Sequence, residues 1–195
     1  MRTLRVVEFL SLDGVIQSPG AADEDTEGGF RHGGWQPPYF DDVLVRTAVE
    51  GMASTDAYLF GRKTYEKMAA YWPHVGDDDP FALHLNATRK YVASRTLERV
   101  GWRGAQLLPG DAAESVPRLK DEPGASITVL GSADLVQTLI ANDLVDEYFL
   151  ILFPLVLGGG KRLFRDDGEL RRLRLVASHA TSTGGLMLTY RAERA

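Results

Sequence analysis

Four short segments of the chain carry glycine, hydroxyl or cationic residues of the kinds that grip a phosphate or let the backbone approach a ligand. Gly61-Arg62-Lys63-Thr64 follows the apolar run Ala57 to Phe60 and opens a helical pattern. A helix N-terminus offers N–H groups without intrahelical partners, and two cations stand beside them. The same residues would also serve as a tight turn carrying two surface cations. Ser94-Arg95-Thr96 follows the expected strand Lys90 to Ala93 and flanks a guanidinium with two hydroxyls. A simple strand-end cap is the plainer reading of that segment. Gly131-Ser132-Ala133 lies between the run Ser126 to Leu130 and a helical pattern through Ala141. Its glycine permits close backbone approach, Ser132 can cap the helix, and a pyrophosphate would fit the turn. Gly158-Gly159-Gly160-Lys161-Arg162 follows the apolar run Tyr148 to Leu157. Three glycines are entropically costly, so backbone approach to a ligand competes here with a flexible bend. The standard nucleotide fingerprints, GxGxxG and GxxxxGK[ST], do not occur.

The acidic and aromatic candidates are weaker singly. Asp13, in Ser11-Leu12-Asp13-Gly14, suits either a turn or a proton-transfer role. Asp41 and Asp42 fall in the first turn of an expected helix, Phe40 to Met52, where the dipole favours negative charge. Residues 17–38 read as a long loop, and a loop of about twenty residues in a compact domain is usually functional or disordered. It carries Phe30, His32 and Trp35, with Tyr39 just beyond, more aromatics than a solvated linker needs. A lid over a pocket is the functional reading, and aromatics packing on the body is the alternative. The four histidines show no metal-ligand spacing, so no metal is expected. His84 reads as a packing or surface residue. No G-x-S-x-G elbow supports a serine hydrolase.

The elements that position these segments follow from periodicity. Strands are expected at Thr3–Phe9, Ala57–Phe60, Lys90–Ala93, Ala105–Leu108, Ser126–Leu130 and Asp146–Phe153. Helices are expected at 62–71, 112–120 and up to Ala141, and Gly76 to Pro80 reads as an acidic loop. The tail, from Arg171 to Ser178 and again from Leu186 to Tyr190, alternates around Gly184-Gly185 and predicts a hairpin. Strands alternating with helices predict an α/β fold: a mainly parallel sheet flanked by helices, with antiparallel edge strands from the hairpin.

Bulk properties narrow the field. The 195 residues fit one domain, 1–195, with no evident linker. A net charge of −5 argues against coating nucleic acid. The absence of cysteine excludes disulfides, thiolate metal sites and a cysteine nucleophile. Glu8 interrupts the first apolar stretch before a signal-peptide core forms, and no apolar run approaches the roughly 18 residues of a membrane span. A cytoplasmic protein is expected.

Taken in order, Ser-Leu-Asp-Gly at 11–14, Leu-Phe-Gly-Arg-Lys-Thr-Tyr at 59–65, Ser-Arg-Thr at 94–96, Gly-Ser-Ala at 131–133, Leu-Val-Asp-Glu at 144–147 and Pro-Leu-Val-Leu-Gly-Gly-Gly-Lys-Arg-Leu-Phe at 154–164 resemble the dihydrofolate reductase-like superfamily. More closely, the chain is similar to stand-alone relatives of the reductase (C-terminal) domain of the bifunctional riboflavin-biosynthesis deaminase-reductase, from about Thr3 to Tyr190. The resemblance implies a three-layer fold with a mixed, mainly parallel sheet of about eight strands. It implies NADPH, with Gly61, Arg62, Lys63, Thr64, Ser94, Arg95 and Thr96 on the adenosine side and Gly131, Ser132 and Ala133 on the pyrophosphate. Leu12 and Gly14, around Asp13, would lie near the nicotinamide. Asp13 or Asp42 would donate a proton or anchor substrate. Trp35, Tyr39, Gly159 and Gly160 would face the substrate. The expected activity is NADPH-dependent reduction of a small heterocycle of pyrimidine or pteridine type, similar to 5-amino-6-(5-phosphoribosylamino)uracil reductase. Dihydrofolate reduction, or nucleotide binding without turnover, are the alternatives. No partner beyond a small molecule and a second copy of the chain is expected. The apolar stretch Tyr148 to Leu157 would lie under that homodimer interface.

Overall fold

The computed structural model describes residues 1–76 and 78–194. Its strands are β1 (Thr3–Ser11), β2 (Ala57–Gly61), β3 (Arg89–Ala93), β4 (Ala105–Leu107), β5 (Ser126–Leu130), β6 (Glu147–Phe153), β7 (Arg172–Ala180) and β8 (Leu186–Glu193). The helices are α1 (Asp42–Met52), α2 (Arg62–Tyr71), α3 (Pro80–Ala87), α4 (Ala112–Asp121) and α5 (Ala133–Ala141). The strands form one eight-stranded sheet in the order β4-β3-β2-β5-β1-β6-β8-β7. Its pairing has the mixed character expected from the sequence: β2 runs parallel to both β3 and β5, and β3 parallel to β4, whereas β8 is antiparallel to both β6 and β7.

The chain clusters into two compact units. The first comprises Met1–Val6 and Thr47–Val145. Every residue of β2 is buried, as in a strand covered on both faces. Tyr58, Phe60, Tyr65, Leu85, Val92 and Trp102 make its aromatic core, with Tyr58 stacked on Phe60 and Phe60 on Trp102. His84 is a packing residue, as expected, hydrogen-bonded at 3.0 Å to Tyr58. The Tyr65 hydroxyl accepts the backbone N–H groups of Gly101 and Trp102 at 3.0 and 3.1 Å, so α2 holds the turn before β4. Asp77, in the expected acidic loop, lies outside the described residues.

The second unit comprises Val7–Arg46 and Asp146–Ala195. Its core is Trp35, Leu44, Ile151, Phe153 and Met187. The helix expected from Phe40 begins instead at Asp42. Residues Pro37–Tyr39 form a 3₁₀ turn, and Asp41 accepts the Leu44 N–H at 2.8 Å as an N-cap. The other Asp41 oxygen accepts both the N–H and the hydroxyl of Ser182, tying the helix start to the β7–β8 turn. Those hydrogen bonds hold the Asp41 carboxyl below its ordinary range, Ser182 contributing most. The apolar character of β6 is explained by its interior place between β1 and β8; the exposed apolar side chains of the hairpin are Leu175, Val176 and Leu186. A bulge between Leu175 and Ala177 interrupts the β7 alternation read from the sequence.

Tyr65→Phe removes one hydroxyl that satisfies two backbone donors. It is expected to destabilise the fold by about 1–3 kcal/mol, read from urea denaturation, because an unsatisfied buried donor retains its desolvation cost.

Candidate functional site

The first unit brings the turns after β2 and β5 together. These strands are parallel neighbours, and their following helices lead to opposite sides of the sheet order, toward β3 and toward β6. Ligands of open α/β sheets bind at such switch points, outside the carboxyl ends of the strands. Ser132 does not cap α5, contrary to the expectation from its position. Its hydroxyl turns across to β2, accepting the Gly61 N–H at 2.8 Å and donating to Thr64 Oγ1 at 2.7 Å. A Cβ at Gly61 would stand 2.9 Å from Ser132, so only glycine allows this approach. Neither α2 nor α5 has a side-chain N-cap, which leaves their leading N–H groups without that partner. Gly131 and Ser132 both have positive φ, 58° and 72°, a conformation that costs a serine roughly 1–2 kcal/mol. Ala133 opens α5 directly behind them.

The cations of this region differ. Arg62 is engaged with Glu66 at 2.9 Å, and Lys63 is exposed. Arg95 is exposed and makes no ion pair among the described residues. The Ser94 hydroxyl is occupied within its own turn, accepting from the N–H groups of Thr96 and Leu97. Thr96 is exposed.

The second unit gathers the remaining candidates around the ends of β1 and β6. Leu12 is 58% exposed, and its N–H donates to the Leu155 carbonyl. Asp13 accepts from Ser11 Oγ at 2.6 Å, Leu157 N at 3.1 Å and Gly158 N at 2.9 Å. Burial pushes its carboxyl up, but those three hydrogen bonds outweigh it and hold the pKa below the ordinary value. Asp13 is thus a charged clamp that fastens the β1 turn to the glycine-rich segment, a poor state for donating a proton. Gly14, at φ 78°, closes the turn. Asp42 is exposed in the first turn of α1, next to the capping Asp41.

Lys161 pins the 17–38 segment. Its ammonium contacts Asp25 at 2.7 Å and Glu27 at 2.6 Å, and Gln17 bridges the Lys161 N–H to the carbonyls of Asp25 and Glu27. Burial lowers the lysine's pKa, but the two carboxylates outweigh it and hold it above its ordinary value. Gly160 packs so closely on Val15 and Phe30 that a Cβ there would fall within 2.9 Å of both. Gly159 is exposed. An open recess of about 480 Å³ is lined by Gly160, Lys161, Arg162, Phe164, Arg165 and Asp166. The structure places Trp35 differently from a stacking platform: it is buried, edge-on to Phe153, with its indole N–H given to the Gln17 carbonyl. Tyr39 is half-buried against Phe153. Among the described residues no group of three or more metal-ligating side chains exists.

The chain matches the RibD C-terminal domain over residues 2–187. It belongs to that family. Uncharacterized protein YyaP of Bacillus subtilis is 34% identical over 138 residues, 69% of this chain and 73% of the relative. Uncharacterized protein YwjB of the same organism is 28% identical over 122 residues, 63% and 66% of the two chains. A putative riboflavin biosynthesis protein from Shewanella sp. PV-4 shares the fold with TM-score 0.68, 22% identity and 98% and 99% coverage. A pyrimidine reductase-like protein from Corynebacterium diphtheriae does so with TM-score 0.69, 13% identity and 100% and 93% coverage. The eight-stranded fold is the one shared with these structures. No helix of the described residues is long and apolar enough to cross a membrane.

One group escaped the sequence reading. Glu8 points to the buried side of β1, alternating with Leu4, Val6 and Leu10, and is 4% exposed. Its Oε1 has no hydrogen-bond partner among the described residues. Burial, helped by the charge of Glu24, pushes its pKa up to about 8. Period-two alternation in β1 was the available signal. The folded chain therefore holds a proton that the unfolded chain releases above its ordinary value of 4.5. Stability from this group is complete below that pH and is lost as pH rises toward about 8. Glu8→Gln is expected to remove this loss, gaining on the order of a few kcal/mol over wild type above about pH 8 in urea denaturation across pH.

Proposed function

We propose that this protein is an NADPH-dependent reductase of a small heterocyclic substrate of pyrimidine or pteridine type. The observation that carries the reading is the paired turn in the first unit: two helix N-termini without side-chain caps, held side by side by the Ser132 hydroxyl. The arrangement fits a dinucleotide by its own chemistry. N–H donors at a helix N-terminus suit a pyrophosphate. Gly131, Ser132 and Ala133 would hold the pyrophosphate, and Gly61 with Thr64 would support them. Arg95, exposed and without an ion pair among the described residues, would take the 2′-phosphate together with Lys63, with Ser94 and Thr96 shaping the turn. Arg62 would first have to yield its contact with Glu66. When bound, NADPH supplies the reducing equivalents, and the chain's residues bind, orient and move the proton.

In the second unit, the Asp13 clamp fixes the backbone of Leu12 and Gly14, which would border the nicotinamide. The exposed Gly159 and the recess beside Gly160 would offer backbone to a substrate. Tyr39 would flank it. Trp35 would support the 17–38 segment from beneath, given its buried ring.

Arg95→Ala is expected to weaken NADPH about 10–100-fold, the worth of one charge-assisted phosphate contact, and NADH little. Tryptophan fluorescence titration with both dinucleotides checks this. Equal losses for the two would remove the 2′-phosphate assignment. Saturable NADPH binding without turnover of any heterocycle would instead favour a binding module.

The protein is further proposed to act as a homodimer, through the β7 edge, where Leu175 and Val176 are 49% and 43% exposed. Light scattering should give about twice 21.5 kDa. A mass near 21.5 kDa would set the dimer aside.

A further inference from the structure

A reductase that adds hydride to a C=N group also needs a proton, and the two aspartates first considered are poor sources. Asp13 spends both carboxylate oxygens on Ser11, Leu157 and Gly158, and those bonds favour its charged form. Asp42 stands exposed at the start of α1. Glu8 differs from both. It occupies a row of β1 otherwise filled by Leu4, Val6 and Leu10. A leucine there would complete the apolar face without a desolvation cost, and a buried polar atom left unsatisfied calls for a ligand, a water or a chemical role. Glu24 is the charged group whose field acts on Glu8, and it belongs to the 17–38 segment. Glu24 is itself fixed, accepting the N–H groups of Gly20 and Ala21.

Resting on the reductase reading, we propose that Glu8 is the acid of this protein: its unpartnered Oε1, buried on an apolar strand face, meets the ring nitrogen of a C=N-containing heterocycle and delivers the proton that completes reduction. The carboxyl O–H bond breaks and a new N–H bond forms on the ring. The adjacent carbon gains the electron pair as hydride from the reduced nicotinamide, so C=N becomes CH–NH. Glu8 is left as carboxylate and recovers its proton from water. A neutral carboxyl is also a donor beside an acceptor, which matches the N–H and C=O edge of a cyclic amide. This chemistry selects ring imines over simple carbonyl compounds.

Dicyclohexylcarbodiimide tests the proposal, because this apolar reagent adds to protonated carboxyls that it can reach. The folded full-length protein is treated, digested and mapped by mass spectrometry. An adduct is expected on Glu8, forming about tenfold faster at about pH 6 than at about pH 9, and absent from Glu8→Gln. Glu8→Gln is expected to keep NADPH binding by fluorescence. Labelling of Glu8 only after denaturation would overturn the proposal, since no ligand could then reach it. So would a labelling rate indifferent to pH. A heterocycle that wild type reduces, that leaves labelling of Glu8 undiminished and that Glu8→Gln reduces at the wild-type rate would overturn it as well. Failure of wild type to bind NADPH would strike the reductase reading instead, and leaves the labelling result to judge Glu8 as a ligand-facing acid.

Discussion

The hydroxyl of Ser132 is the contact on which the dinucleotide reading depends. It spans two chain segments, taking the Gly61 N–H and giving its proton to Thr64. The serine reaches this position only through a left-handed backbone, at φ 72°. That strain costs roughly 1–2 kcal/mol, and two hydrogen bonds at about 1 kcal/mol each are enough to offset it. The balance is local, but its consequence is not. With Ser132 turned toward β2, it does not cap its own helix, and α5 starts without a side-chain N-cap. Glycine at 61 is required by the same geometry, because any Cβ would collide with the serine. Strain and withheld capping coincide at one turn, which is how binding sites differ from ordinary helix starts.

The second unit uses charge differently. Asp13 reads as a candidate catalytic group in the sequence, yet it and Lys161 are both consumed by the fold. Asp13 fastens the β1 turn to the segment after β6, and Lys161 holds Asp25 and Glu27. Each thereby sets backbone in place for neighbours such as Leu12, Gly14 and Gly159. A loop of the length of 17–38 has a large conformational entropy to lose, and Lys161 with Gln17 shortens it into smaller closures. The indole of Trp35 contributes its N–H to the same Gln17 backbone. Positioning, more than contact, is what these side chains contribute.

Much of this was legible in the sequence because turn chemistry is local. Gly-Arg-Lys-Thr and Gly-Ser-Ala lie where a strand ends and a helix starts, and Ser126–Leu130 is a strand with the limits its apolar run implied. The helix expected from Phe40 starts two residues later, because Pro37 and Pro38 form their own turn and Asp41 caps the helix through a bond that also reaches Ser182. That second partner is 141 residues away, beyond any window of periodicity. Trp35 misled for a related reason: an aromatic in a polar loop is equally consistent with a ligand platform and a buried anchor. The Gln17 carbonyl decides between them, and only the folded chain shows it. Ser132 was recognised as a turn residue, but its φ and its partner across the sheet depend on packing.

Glu8 is the residue where local and tertiary logic disagree. In the sequence it reads as the charge that breaks an apolar stretch, whereas alternation along β1 puts it on the inward row with Leu4 and Val6. A fold selecting for stability alone would place a hydrocarbon at that position. Burial makes the neutral carboxyl the favoured form, and Glu24 adds to the same effect, so the chain keeps a proton at a pH where Asp13 has none. Two carboxyls on one strand and its turn thus have their affinities for protons driven apart by environment: hydrogen bonds at Asp13, desolvation at Glu8. Such a separation lets one acid serve as a fixed anion and the other as a proton carrier. The cost of the unsatisfied Oε1 then has a physical purpose, since an oxygen already partnered within the protein would be unable to meet a substrate.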